Sequence, residues 1–314
     1  MMSGCAIVVT GSKGFIGAHL VGFLRASGWE VHRCDLDVRD DHQIWESYFR
    51  GLNSAHVILI HLAGMSFVPD CENKPELAMA INRDGARVVS EAFYRSIPRG
   101  LIVFASTAQV YSAPIGDEVI ADEGRVLPWA EDRQLLPQNV YARSKLEGEA
   151  AVRDVAGALG RSAVVLRLFN HVHNTQSERF FLPSVYGQLL GFQRSSALNR
   201  KLVVGNLEIK RDIGSIQDLL SAFHAVLLNV DSVKGVEVFN ICSGVAKGLD
   251  RLVRLLAARM GLEIEIEVDE SRFRRGEPKV ILGSHEKISA LTGWTPSAVS
   301  EDVLLDAFLA KIEF

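Results

Sequence analysis

The first apolar run of the chain, Cys5 to Val9, leads through Thr10 into three glycines, Gly11, Gly14 and Gly17, spaced G-x-x-G-x-x-G. A strand that ends this way and turns at once into a helix has few folds open to it. The tight turn, the close approach of backbone to a pyrophosphate and the close packing of helix on strand each exclude a side chain. A helix starting at Phe15 and Ile16 would aim its first amides and its positive dipole end at the turn, as a phosphate requires. Three glycines alone also occur at purely structural turns. Their place after the first strand of a βαβ series selects the dinucleotide reading.

That series follows. Strand-like runs over Ala6–Thr10, Glu30–Cys34, Val57–His61 and Leu101–Ala105 alternate with helical patterns over Gly17–Ala26, Gln43–Phe49 and Leu77–Tyr94, the rhythm of parallel βαβ units. The strands are unbroken Val, Ile and Leu runs, as expected where helices cover both faces of a sheet. The expected fold is α/β: a Rossmann-type doubly wound parallel sheet with a smaller C-terminal substrate-binding lobe. A polar loop runs to Pro137, long enough to be functional. A helix over Val140 to about Leu159 and a strand over Ala163–Leu168 come next. From Asn170 the rhythm breaks, apart from a helix over Ile216–Leu228. The expected division is a dinucleotide-binding domain over 1–170 with 206–235, and the lobe over 171–205 and 236–314.

Composition narrows the function classes. Thirty-four Lys and Arg against 38 Asp and Glu give a net charge of -4, so no global basic field invites nucleic acid or an anionic membrane. No stretch approaches the roughly 20 uninterrupted apolar residues of a membrane span, and the N-terminus reads as a first strand without a basic leader. The expectation is a cytoplasmic enzyme. Cys5, Cys34, Cys71 and Cys242 are too scattered for a zinc knuckle or dithiol motif, and read as reduced, buried thiols. His171 and His173 alternate as metal ligands could, but with no third ligand evident no metal is expected.

At the end of the second strand, Asp35 is placed to accept from the adenosine ribose hydroxyls and to disfavour a 2′-phosphate. Arg33, two residues earlier, could instead hold that phosphate. If the strand ends early, Asp37, with Val38, faces the adenine. NAD(H) and NADP(H) both stay open. Further on, Tyr141 and Lys145 stand four apart at the start of a helix, phenol and ammonium on one face. A nearby cation favours phenolate and would draw the tyrosine down from about 10 toward working pH. Ser106, Thr107 and Gln109 lie at the C-terminal end of the fourth strand, the edge where α/β proteins bind ligands.

The glycine motif, the strand end His61, Leu62, Ala63, Gly64, then Asn82, Ser106, Thr107, Tyr141 and Lys145 resemble, in order and spacing, the extended short-chain dehydrogenases over nearly the whole chain. The resemblance implies that Thr107 bonds the reacting sugar oxygen, that Tyr141 is the acid or base, and that Lys145 holds the nicotinamide ribose. It places Leu62, Ala63, Gly64 and Asn82 beside the cofactor. The second half, with Arg167, Asn170, Arg211, Asn240, Arg272, Arg274, Glu277 and Trp294, is similar to the sugar-nucleotide-modifying branch, near the GDP-4-keto-6-deoxymannose reductases. There Asn170, Arg211 and Arg274 would meet the nucleotide diphosphate, joined at the substrate by Ser106, Gln109 and Glu277. Arg275 stands where relatives carry proline, and His171 to Gln176 replaces a Pro-Gly turn.

Gln109 separates two reactions. The dehydratases of the branch carry glutamate there as a second proton-transfer group, whereas an amide cannot titrate. Reduction of a 4-keto group is therefore expected. An epimerase holding NAD tightly needs no carboxylate at 109 and stays open, as does a catalytically silent dinucleotide-binding protein. The resemblance also implies a homodimer through the tyrosine helix, whose Ala150, Val152 and Val155 could form that face or belong to the core.

Overall fold

The computed structural model describes residues 5–52, 54, 56–111, 120–121, 125–195, 200–273, 277–297 and 300–312. The chain opens with β1 (Cys5–Thr10), α1 (Phe15–Ala26), β2 (Glu30–Cys34), α2 (His42–Arg50) and β3 (His56–His61). After α3 (Val68–Asn73), the helix expected over Leu77–Tyr94 is broken into α4 (Pro75–Met79), a π-helical turn over Ala80–Asp84 and α5 (Gly85–Ser96). Then come β4 (Gly100–Thr107), the short antiparallel pair β5 (Ile120–Ala121) and β6 (Arg125–Val126), α6 (Val140–Ala158), β7 (Ala163–Leu168) and β8 (Asn170–Val172). The rest comprises α7 (Phe181–Arg194), β9 (Lys201–Val204), β10 (Lys210–Ser215), α8 (Ile216–Leu228), β11 (Val236–Ile241), β12 (Ala246–Gly248), α9 (Leu249–Arg259), β13 (Glu265–Val268), β14 (Val280–Ile281), α10 (Glu286–Thr292) and α11 (Glu301–Leu309).

Six strands form one parallel sheet in the order β11-β7-β4-β3-β1-β2. The winding direction reverses between β1 and β3, which opens a crevice at the C-terminal strand ends there. Successive residues of β1 explain the unbroken apolar runs. Ile7 and Val9 pack under α1 and α8 with Leu20, Leu24, Leu219 and Phe223, while Val8 packs under α2, α5 and α6 with Trp45, Phe49, Phe93 and Phe104. Both faces are covered, so neither side of the strand is polar.

One expectation needs correction. Val236–Ile241 is not part of the smaller lobe: it pairs with β7 from Val236↔Ala163 to Ile241↔Leu168 as the outer strand of the main sheet. Glu237 and Asn240 interrupt its apolar pattern for different reasons: Glu237 is part-exposed on the edge strand, whereas Asn240 is fully buried and bonded to Tyr111 and Trp129. Val152 and Val155 are buried in the core beneath α6, whereas Ala150 is exposed. A second core joins α7, α9 and α11 to β9 and β10 through Leu182, Leu189, Leu202, Leu252, Leu256, Leu304 and Phe308.

Candidate active site

The parallel register brings the ends of β1, β3, β4 and β7 to one edge, with Thr10 opposite His61 and Thr107 opposite Leu168. At the first turn Gly11 has φ +65°, and a Cβ there would lie 2.7 Å from the Ala63 backbone nitrogen. Either fact excludes other residues. A Cβ on Gly17 would collide with the Gly11 carbonyl. Gly14 caps α1 without a side-chain bond, so the amides of the first turn face the cleft uncompeted. Phe15 and Ile16, both part-buried, pack their side chains against the core. Thr10 Oγ1 accepts from Ala63 N–H at 3.2 Å, fixing the Leu62–Gly64 segment against the turn.

A cleft of about 280 Å³ runs from Gly11 past Asp35, Asp37 and Val38 to Ala63, at the C-terminal ends of β1 and β2. At its corner Lys13 pairs with Asp35 at 2.9 Å. The Ser12 hydroxyl donates to Asp35 at 3.2 Å, and Arg33 donates to Ser12 Oγ at 3.4 Å and to its carbonyl at 3.3 Å. Lys13 first, then Ser12 and Arg33, hold the Asp35 carboxyl below its usual range. Asp37 is engaged by the Arg39 guanidinium and amide, which take it down to about 2.

The helix carrying Tyr141 is set from two sides. Asn139 Oδ1 accepts from Ala142 N–H at 2.8 Å, and Glu72 of α3 accepts from Val140 N–H at 2.8 Å. These are two of the four orphan donors of a helix start. Asn139 Nδ2 also donates to Gln109 Oε1 at 3.1 Å, tying the strand end to the helix cap. Thr107 Oγ1 accepts from Gln109 N–H at 3.2 Å, and its hydroxyl lies close enough to the Tyr141 phenol to favour the phenolate. Thr107 and Tyr141 thus come together, and Lys145, one helical turn beyond Tyr141, lies by Gly64 and Phe104.

The electrostatics differ from the expectation drawn from helical spacing. Burial pushes Tyr141 up to about 12, against the pull of the Thr107 hydroxyl, and Lys145 does not bring it down. The lysine ammonium lies 4.3 Å from the centre of the Phe104 ring and is itself lowered to about 8 by burial, with Glu149 acting in the other direction. His61 is stacked on Phe104, hydrogen-bonds Thr10 Oγ1 through Nδ1 at 3.0 Å, and is pushed down to about 3, first by burial and then by Lys145.

Asn82, aimed inward by the π turn, spends its whole amide on the protein. Its Oδ1 accepts from Met65 N–H, and its Nδ2 donates to the Met65 carbonyl and to Ser144 Oγ, all within 2.9 Å. It fixes the segment after Gly64 to the tyrosine helix. Ser106 points away from the crevice and donates to Glu149 at 2.5 Å. Asn170 is exposed on β8. Arg211 is buried and paired with Glu277 at 2.8 Å. Arg274 and Arg275 lie outside the described residues.

Residues 7–242 match the NAD dependent epimerase/dehydratase family. The chain belongs to that family. It is 32% identical to the GDP-6-deoxy-D-mannose reductase of Pseudomonas aeruginosa over 92% of this chain and 91% of that one. It is 27% identical to the UDP-glucose 4-epimerase of Lacticaseibacillus casei over 96% and 94%. Among solved structures, RMD from Pseudomonas aeruginosa complexed with NADPH is similar with a TM-score of 0.81 at 28% identity, covering 96% of this chain and 98% of that one.

In this epimerase/dehydratase chain the segment after β8 is held by its own side chains. His173 is bonded to Thr175 Oγ1 at 2.9 Å and to the Ala310 carbonyl at 3.0 Å, and Thr175 Oγ1 reaches His19 of α1 at 3.2 Å. His171 donates to the Phe169 carbonyl at 3.0 Å and is lowered to about 4 by burial. Among the described residues no group of three or more His, Cys, Asp or Glu is arranged to hold a metal, and no helix is long and apolar enough to cross a membrane. Sequence reasoning missed Lys13, Glu72 and Glu149. Only Glu149 left a signal, as an acid four residues beyond Lys145 on the buried face of α6.

Proposed function

We propose that the protein reduces the 4-keto group of a nucleotide-linked 6-deoxysugar, GDP-4-keto-6-deoxymannose before others. One observation carries the reading: the Thr107 hydroxyl stands beside the Tyr141 phenol at the strand edge and eases its ionisation, while position 109 beside them is an amide already bonded to Asn139. Ketone reduction asks the protein for a proton and for donors where negative charge develops on oxygen. Tyr141, kept protonated through the neutral range by burial, gives its proton to that oxygen, and Thr107 donates a second hydrogen bond to it. Lys145 orients the nicotinamide ribose. Elimination across sugar carbons 5 and 6 would need a group to take a proton from carbon, and Gln109 has none to exchange. The likeness to the Pseudomonas reductase supports the same reading.

When bound, NADPH supplies the hydride. The choice of NADPH rests on the corner where Lys13 and Arg33 outnumber the single Asp35 carboxylate, which suits a ribose 2′-phosphate. Asn170, Arg211 with its Glu277 partner, and Arg274 are assigned to the nucleotide diphosphate, in a substrate lobe built on the second core. The assignment extends to a cytoplasmic homodimer, in keeping with four buried, unpaired cysteines.

Loss of reduced-nicotinamide absorbance with GDP-4-keto-6-deoxymannose generated in place, abolished by Tyr141→Phe, is the expected result. Absence of turnover by wild type with either NADPH or NADH refutes it. An epimerase is the second reading, favoured by the likeness to the Lacticaseibacillus enzyme; NAD that co-purifies, with no net oxidation of NADPH, would select it.

A further inference from the structure

Glu149 is fully buried, one helical turn beyond Lys145 and two beyond Tyr141 on the same face of α6. Its Oε1 accepts from the Ser106 hydroxyl at 2.5 Å and from Arg167 Nε at 3.0 Å, and its Oε2 accepts from Arg167 Nη2 at 2.8 Å. Ser106 and Arg167 are register partners on β4 and β7, and Asn240 continues the row on β11. Arg167 Nη1 donates to the Tyr111 hydroxyl at 2.8 Å, which donates to Asn240 Oδ1 at 2.9 Å. The carboxylate is therefore fixed by a polar row spanning three strands. Buried ion pairs contribute little net stability over apolar packing of equal volume, which turns attention to what this one aligns.

Ser106 immediately precedes Thr107, and Glu149 shares a helix with Tyr141 and Lys145. One carboxylate thus joins the strand carrying one reacting hydroxyl to the helix carrying the other. It also bears on Lys145. Among the described residues, the charged or titratable groups acting on that ammonium are Glu149 on its own helix and His61 on β3, with Tyr141 one turn before it on α6 and Arg167 of β7 behind Glu149. Glu149 is the single acid among them.

We propose that Glu149 is a positioning residue for the reduction: it sets Thr107 against Tyr141 through Ser106, and it supplies the negative charge that keeps Lys145 a cation facing the cofactor. The first half rests on the reductase reading, and the second is tested without it. Burial alone lowers Lys145, and Glu149 is what opposes that shift.

Two variants test the proposal. Ser106→Ala cuts the link to β4 and leaves the ion pair. Glu149→Gln with Arg167→Gln removes both charges together, so no buried charge is left unpaired. NADPH binding, followed by nicotinamide fluorescence from about pH 6 to about pH 10, and ketone reduction are measured for each. In the double variant the alkaline limb of NADPH binding is expected to move down by about one pH unit, and kcat to fall roughly thirtyfold with the sugar KM within about threefold. Ser106→Ala should keep the limb and lose about tenfold in kcat. An unchanged limb and kcat in the folded double variant overturn the proposal. If that variant does not fold, wild-type kcat in Ser106→Ala overturns it. Wild type that binds NADPH and reduces no keto sugar defeats the reductase reading, while the binding limb still decides whether Glu149 holds the charge of Lys145.

Discussion

Replacing Thr107 by valine keeps a branched side chain in a position only 6% exposed and removes a single hydroxyl. That hydroxyl accepts from Gln109 N–H, stands beside the Tyr141 phenol and, in the proposed reaction, donates its one proton to the oxygen on which charge develops. Losing one such donor in a site shielded from water costs about 2.7–4 kcal/mol of transition-state stabilisation, or about 10² to 10³ in kcat. The ground-state penalty is smaller. One backbone amide loses its partner, at about 1–2 kcal/mol. For 314 residues the unfolding entropy of about 0.7 kcal/mol per kelvin converts that to a fall in Tm of about 2–3 °C. The assay is stopped-flow absorbance of the reduced nicotinamide with saturating keto sugar, alongside a thermal melt and an NADPH titration. Thr107→Ser should retain most activity, and Thr107→Val should bind NADPH nearly as wild type while turning over hundreds of times more slowly. A valine variant within about threefold of wild-type kcat, with its cofactor bound, would show that Tyr141 acts alone and that the strand end has been misread.

Lys13→Glu should weaken NADPH by roughly an order of magnitude and leave NADH little changed, because Lys13 would meet the 2′-phosphate; equal losses for both cofactors in paired titrations would count against that role. Tyr111→Phe strips a partner from both Arg167 and Asn240, for a loss of about 1–3 kcal/mol that a thermal melt reads as a few degrees; an unaltered Tm would mean the network is not cooperative. His61 and His171 are held down at about 3 and about 4 from an ordinary value of 6.5. Above that ordinary value both states are neutral and nothing is lost. Below it the unfolded chain takes up protons that the fold refuses, so stability should fall as pH drops from about 6.5 toward about 4. A Tm that stays flat across that window would contradict the sign.

The sequence alone carried the sheet, because burial on both faces leaves a strand no choice but an unbroken apolar run, and β1, β2 and β3 stand within a residue of where those runs put them. It carried the turn at Gly11 for a similarly local reason, a positive φ and a backbone contact that no side chain tolerates. Tyr141 and Lys145 were legible from helical spacing, and their charge balance was not. Proton affinities depend on what the rest of the fold removes from water, and here burial outweighs the neighbouring cation for Tyr141. Likewise Val236–Ile241, interrupted by Glu237 and Asn240, joined the sheet only through its pairing with β7. Ser106 and Thr107 are adjacent in sequence and equally polar, and only the pleat of β4 decided that one meets Glu149 beneath the helix while the other meets Tyr141 in the crevice. Spacing along a chain fixes which residues can share a face, whereas the partners and dielectric on that face come from segments far away in sequence.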